Sequence, residues 1–202
     1  MISFNRILLG VLVTFALFSA VAFTVSKEVP TDYLGVKGPL SFNGTKFNLA
    51  YSSNPKPTYY LQEYLPEGEN ASEFNQMLSI FLVIDEADAI KFMETKQAEL
   101  DAKKKTDAVC NYSTTKSPDG KEHLLDFLVS YSKDNKLASV EFNVYRYKQI
   151  TVKDDKKATL IYCYHSRIYK DKIPSFLSSL KESRINYLNK MISAEMPDVY
   201  VE

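Results

Sequence analysis

The sequence predicts an α+β fold: an antiparallel β-sheet of about six to seven strands packed by two main helices, in an α/β/α sandwich-like arrangement. Three observations carry this expectation. The run Met77 to Ile84 (MLSIFLVI) is nearly continuous apolar sequence, the mark of a strand buried on both faces. Four strand-like segments between Ala108 and Tyr169 are joined by three tight polar turns, the pattern of an antiparallel meander. Two further segments repeat apolar residues at helical spacing.

Taken in order, Ser26 to Pro39 reads as an irregular lead-in, because Pro30, Gly35, Gly38 and Pro39 interrupt any period. Lys46 to Tyr51 and Thr58 to Leu65 read as short strands around a turn, Ser52 to Pro57, that holds Asn54 and two prolines. Pro66 to Asn70 is an acidic loop leading into the buried MLSIFLVI strand. Asp85 is then expected to cap a helix, with Glu86 and Asp88 in its first turn and Lys103 to Lys105 in its last, charges that complement the helix dipole. Ile90, Met93, Gln97 and Leu100 are expected to face the sheet, with Glu99–Lys103 and Asp101–Lys105 as supporting pairs outside.

The meander turns are Ser117 to Gly120, Lys133 to Lys136 and Lys153 to Lys157. Its third strand alternates clearly: Ala138, Val140, Phe142 and Val144 are expected on a core face, and Glu141, Asn143, Tyr145 and Tyr147 on a wet one. The last helix is placed from Ile173 to Ala194, with Pro174 in its first turn and Phe176, Leu177, Leu180, Leu188, Met191 and Ile192 as the buried stripe.

The first 25 residues assign a compartment. Arg6 precedes an uncharged run, Ile7 to Val25, that ends near Ala20-Val21-Ala22, the layout of a secretory signal peptide cleaved after Ala22. The alternative is an uncleaved anchor, since the run approaches the ~20 residues that cross a bilayer. The domain division is therefore a signal peptide over 1–22, a lead-in over 23–39 and a single α+β domain over 40–202, in a periplasmic or secreted protein. Contact with a membrane is expected only through an uncleaved leader.

Composition excludes some function classes. Basic and acidic residues balance at 25 each, and no arginine stripe is present, so nucleic acid is not an expected partner. The two cysteines, Cys110 and Cys163, invite a disulfide in an oxidising compartment. If their strands are the first and fourth of a simple meander, they lie about 14 Å apart, beyond the ~7 Å reach of a disulfide, and buried free thiols are the alternative.

Catalytic signatures are sparse. Cys163 and His165 share one strand face, and with Cys110 and His123 they make a formal Cys2His2 set, but the spacing matches no zinc pattern. Glu67, Glu69 and Asn70 form an acidic turn rather than a calcium loop. No cofactor and no catalytic residue is expected. The tyrosines are more suggestive: Tyr59, Tyr60 and Tyr64 on one strand and Tyr145 and Tyr147 on another form an aromatic interaction surface if their faces coincide.

The order of elements, with Tyr59-Tyr60-Leu61-Gln62-Glu63-Tyr64-Leu65-Pro66-Glu67-Gly68-Glu69 leading into MLSIFLV, resembles exported bacterial proteins of the PsbP-like fold from about Leu40 to Ala194. The resemblance implies an α/β/α sandwich and a small non-enzymatic module in the periplasm, and it carries over no functional residue. The sequence is accordingly read as an exported, non-enzymatic binding or interaction module with a protein partner, such as an accessory to a cell-envelope complex. The alternatives are a lipid or small-ligand carrier and an enzyme with a dispersed acid–base site. The leader supplies the first test: intact mass of the natively exported protein is expected to correspond to a chain starting at Phe23, and a mass retaining Met1 to Ala22 selects the anchor.

Overall fold

Eight strands build one antiparallel sheet in the computed structural model, which describes residues 29–201; the expected signal peptide over 1–22, and the anchor that is its alternative, lie outside the described residues. In chain order the strands are β1 (Leu40–Phe42), β2 (Thr45–Lys56), β3 (Tyr59–Leu65), β4 (Gln76–Ile84), β5 (Asn111–Lys116), β6 (Glu122–Lys133), β7 (Lys136–Thr151) and β8 (Lys157–Tyr169), with helices α1 (Ala89–Lys103) and α2 (Ile173–Ser193). The α+β class is as expected, and the strand count exceeds the expected six to seven. Across the sheet the order is β1-β2-β3-β4-β8-β7-β6-β5. Two consecutive meanders thus meet edge to edge along β4 and β8, which pair from Gln76↔Ser166 to Ile84↔Ala158.

The strand missing from the sequence reading is β1. Asn43 and Gly44, both at positive φ, close a two-residue hairpin that pairs Phe42 with Thr45. Asn-Gly is the standard chemistry for that turn, because both central residues must take left-handed backbone. Of the expected Ser52–Pro57 turn, Pro55 instead sits near the end of β2, which runs on to Lys56, and only Pro57 falls in the turn to β3. Pro55 is tolerated because β1 covers only Thr45 to Phe47, leaving the outer edge of β2 there without a partner to receive the missing N–H.

Side chains of the sheet sort onto two faces. On the α2 face, Leu78, Ile80, Leu82, Phe142, Val144 and Tyr164 pack with Leu180, Leu188 and Met191 of the helix. Tyr187 stacks on Tyr164, with ring centroids 5.5 Å apart. Leu34 and Val36 of the irregular lead-in are buried in the same cluster, Leu34 donating its N–H to Gln62 Oε1 at 3.0 Å. Arg146 terminates α2: its Nη1 reaches the carbonyls of Met191, Ile192 and Ala194 while its Nε donates to Glu122 at 2.6 Å. Helix-end carbonyls have no intrahelical donor, so this guanidinium does the work of a C-cap. Arg184 clamps Asp126 of β6 through two hydrogen bonds of 2.6 and 2.7 Å.

On the other face, α1 lies over β5 to β8 and packs Ala89, Met93 and Leu100 on Leu125, Phe127 and Tyr147. Four sequence assignments change here. The helix starts at Ala89, and Asp85 instead accepts the Ala87 N–H in a preceding turn. Ile90 faces outward, as does Ile192 of α2. The expected pairs Glu99–Lys103 and Asp101–Lys105 give way to Lys96–Glu99 and Lys103–Asp107. The supposed wet face of β7 is covered: Asn143 and Tyr147 are buried and Tyr145 is half-buried, because α1 crosses above them.

The packing makes α2 part of the core. Leu180→Ala is expected to cost ~2 to 5 kcal/mol in urea unfolding, and a chain ending at Lys172, which loses Leu180, Leu188 and Met191 together, is expected not to unfold cooperatively.

Candidate functional site

Because α1 spans only β5 to β8, its side of the sheet is divided. Over β2, β3 and β4 the same face carries Tyr51, Tyr59, Leu61, Phe81 and Val83, aligned by the pairs Tyr59↔Val83 and Leu61↔Phe81. A bulge in β2 between Leu49 and Tyr51 turns Tyr51 onto this face, opposite Glu63. None of the five joins a buried cluster; Tyr51 is 46% exposed and the others are half-buried. Tyr59 and Phe81 lie with ring centroids 6.5 Å apart.

A polar group lies between this open half and the part under α1. His165 on β8 stands at its centre. Its Nε2 is 3.1 Å from Ser79 Oγ, and its Nδ1 is 2.6 Å from Asn143 Oδ1 and 3.4 Å from Glu141 Oε1. Nδ1–H donates to Asn143 Oδ1, and Nε2 shares a hydrogen bond with the serine hydroxyl. Glu141 pairs with Arg167, whose Nε and Nη2 both lie 2.6 Å from Oε2, and the Arg167 guanidinium also stacks 4.0 Å over Phe74. Burial alone would raise the Glu141 pKa, but the hydrogen bond and charge of His165 and the charge of Arg167 outweigh it and hold the carboxyl down at about 2.

Ser79, His165 and Asn143 have the connectivity of a nucleophile, base and orienting residue. Their setting opposes that chemistry. Ser79 is only 1% exposed in mid-strand, and the ring nitrogens of His165 are both occupied, so a substrate has no approach to the hydroxyl. Cys163, on the same face, is fully buried, and burial pushes its thiol pKa well above the ordinary value, so it is held as thiol rather than thiolate.

Glu63 differs from its neighbours. It faces Ser79 across the β3–β4 ladder, half-buried at the edge of the open surface, and makes no hydrogen bond or ion pair with another described residue. Burial raises its pKa, against the opposing charges of His165 and Arg167. Glu141, the other acidic residue of the sheet on this face, is paired with Arg167.

The tyrosines proposed from sequence do not form one surface. Tyr59 belongs to the open half-face, Tyr60 and Tyr64 to the α2 face, and Tyr145 and Tyr147 lie beneath α1. Tyr64 is buried and bonded to Gln62 at 2.6 Å, and burial pushes its phenol up to about 12. The residues missed were Tyr51, Leu61, Glu63, Phe81 and Val83. The alternation of β3 could have placed Tyr59, Leu61 and Glu63 together, but which half of the face α1 covers depends on strand order.

Cys110 and Cys163 are both buried free thiols, at the start of β5 and in β8, with β6 and β7 between them. His123 is buried on β6, and burial lowers its pKa. Among the described residues no group of three or more His, Cys, Asp or Glu side chains converges as a metal site. Glu69 uses its carboxylate to close its own loop, accepting the N–H groups of Asn75 and Gln76 at 2.7 and 3.1 Å.

The Glu141–Arg167 pair gives a pH test. Its folded-state pKa lies below the ordinary value, so its stabilisation is complete above about 4.5 and is lost as pH falls toward about 2. Glu141→Gln leaves Arg167 without its partner and is expected to lose on the order of 3 kcal/mol at pH 7. The same variant should show a flatter decline in denaturant stability between pH 5 and 3 than the parent.

No curated protein matches this sequence. A protein-family model, whose description names no activity, matches residues 34–196. That span includes all eight strands and both helices, together with Leu34 and Val36 of the lead-in, and the chain belongs to that family.

Proposed function

We propose that the chain is an exported, non-enzymatic interaction module, and that it docks a protein of the cell envelope on the open half of the α1 face. The carrying observation is that exposed Tyr51 and half-buried Tyr59, Leu61, Phe81 and Val83 share one uncovered patch beside a half-buried, unpaired Glu63. Aromatic side chains bury large areas at low entropic cost, which suits them to anchor contacts. The unpaired carboxylate specifies the chemistry of the occupant: an apolar segment that brings a lysine or arginine to Glu63. The export part of the proposal rests on the leader, and the non-enzymatic part is supported by the inaccessibility of Ser79 and the protonated state of Cys163.

Glu63 separates a binding role from a structural one. Its raised folded-state pKa means that the charged form costs stability once pH exceeds the unfolded value, so Glu63→Gln is expected to raise the melting temperature at pH 7. The same variant is expected to weaken partner binding, the trade-off typical of a functional surface. A photo-crosslinking residue placed at Tyr51 should capture one discrete envelope protein in cells, the same residue at Glu94 on the outer side of α1 should capture none, and Glu63→Gln should reduce the adduct. Adducts from both positions, or from neither, overturn the proposal.

A further inference from the structure

The sheet ends differently at its two sides. At one side β1 is three residues long, and β2 carries Pro55 and two irregularities in register, which make that edge unsuitable for further pairing. At the other side β5 is the outermost strand among the described residues. It holds no proline, pairs with β6 in an unbroken register and is exposed at every position except Tyr112.

Hydrogen bonding fixes which groups of β5 face outward. Ser117 donates its N–H to the Glu122 carbonyl at 2.9 Å, so the odd-numbered residues of the strand direct their main chain to β6. Tyr112, Thr114 and Lys116 therefore turn N–H and C=O away from the sheet. The Tyr112 N–H accordingly goes to Asn111 Oδ1 at 3.0 Å, a side chain standing where the carbonyl of a next strand belongs. A second β5 fits this row. Turned about a two-fold axis at Thr114, it sets Tyr112 against Lys116, Thr114 against Thr114 and Ser113 against Thr115, with about six main-chain hydrogen bonds. A slip of one residue would set outward groups against inward ones, and a slip of two would lose part of the ladder.

The side chains agree with that register. Lys116 is the one charged residue of β5, and the axis brings it to the other copy's Tyr112 rather than to a second Lys116. There Asp101, which accepts the Tyr112 hydroxyl, offsets Lys104, whose ammonium lies 4.0 Å over the same ring. The remaining pairs join hydroxyl side chains, which are favourable neighbours across strands.

We propose that the protein forms a symmetric dimer by pairing β5 with β5 of a second copy, making one continuous sheet. The axis is perpendicular to the sheet, so both copies present the open half of the α1 face on the same side, at its two far ends. Sedimentation velocity of the exported protein from about 1 to 300 μM is expected to show a reversible monomer–dimer equilibrium, weak because a six-residue edge buries less than a standard interface. Thr114→Pro removes an N–H that β6 does not use, so it should weaken dimerisation at least about tenfold without lowering the melting temperature of dilute protein. Thr114→Cys, with Cα atoms about 5.5 Å apart across the axis, should give a disulfide-linked dimer on mild oxidation. Ser113→Cys, about 7 to 8 Å from its counterpart, should not, and the native cysteines are buried thiols that do not compete. The cross-link decides the matter even if Thr114→Pro fails to fold. A monomer at every concentration, a dimer that Thr114→Pro leaves intact, or no preference for cross-linking at Thr114→Cys over Ser113→Cys would overturn the proposal.

Discussion

Pairing of β4 with β8 is the contact on which the rest of the structure depends. It joins residues 74 to 90 positions apart, so its loop-closure entropy must be met by burial at the seam. The seam meets that demand because both strands are apolar on both faces, with Leu78, Ile80, Leu82, Leu160, Tyr162 and Tyr164 all buried on the α2 side. Once β4 and β8 are neighbours, the chain leaving β4 must travel to the far edge of the sheet to begin β5. The connection carries α1 across β8, β7, β6 and β5, which explains why one half of that face is roofed and the other half is not.

The polar groups are placed where helices and strands must keep one arrangement. Arg184 and Asp126 fix α2 against β6, and Arg146 holds the end of the same helix while it pairs with Glu122 on a neighbouring strand. Buried ion pairs of this kind add little net stability over apolar packing, since desolvation opposes the attraction, but removing one partner strands a charge. The row from Ser79 through His165 to Glu141 and Arg167 acts at a boundary. It is satisfied hydrogen bond by hydrogen bond, so it can be buried without inviting the helix to slide over β3 and β4.

Those elements were legible in sequence wherever one local signal decided them. MLSIFLVI read correctly as a central strand, but its burial on both faces ends at Ile80: Ser79 is buried with a partner, whereas Phe81 and Val83 lie half-buried on the part of the face that α1 leaves open. The α2 stripe was legible at Leu180, Leu188 and Met191, and failed at Ile192, where the helix ends and Arg146 takes its carbonyl. The β7 alternation was misread for a clear reason. Glu141, Asn143 and Tyr145 are polar by type, yet each meets a partner from β8 or lies near α1, and composition alone cannot distinguish a wet face from a buried hydrogen-bonded one. Asn43-Gly44 was a readable hairpin signal, and attention to it would have supplied β1.

The open half-face followed from none of these signals. Tyr51, Leu61, Phe81 and Val83 have the types and alternation of core residues, and in a sheet roofed from edge to edge they would be core. Their incomplete burial is a consequence of topology: a 15-residue helix spans ~22 Å, about the width of four to five strands at 4.7 to 4.9 Å spacing, and the strand order spends that length on β5 to β8. A second helix would be needed to cover β2 to β4, and the described chain places its other helix on the opposite face. The edge beside this surface is protected from strand-to-strand association, because β2 carries Pro55, two irregularities in register and Lys56 where a flat strand would invite pairing. A face left apolar next to an edge made unsuitable for sheet extension is arranged for side-chain contact with a partner, and the unpaired Glu63 at its border selects one that carries a positive charge.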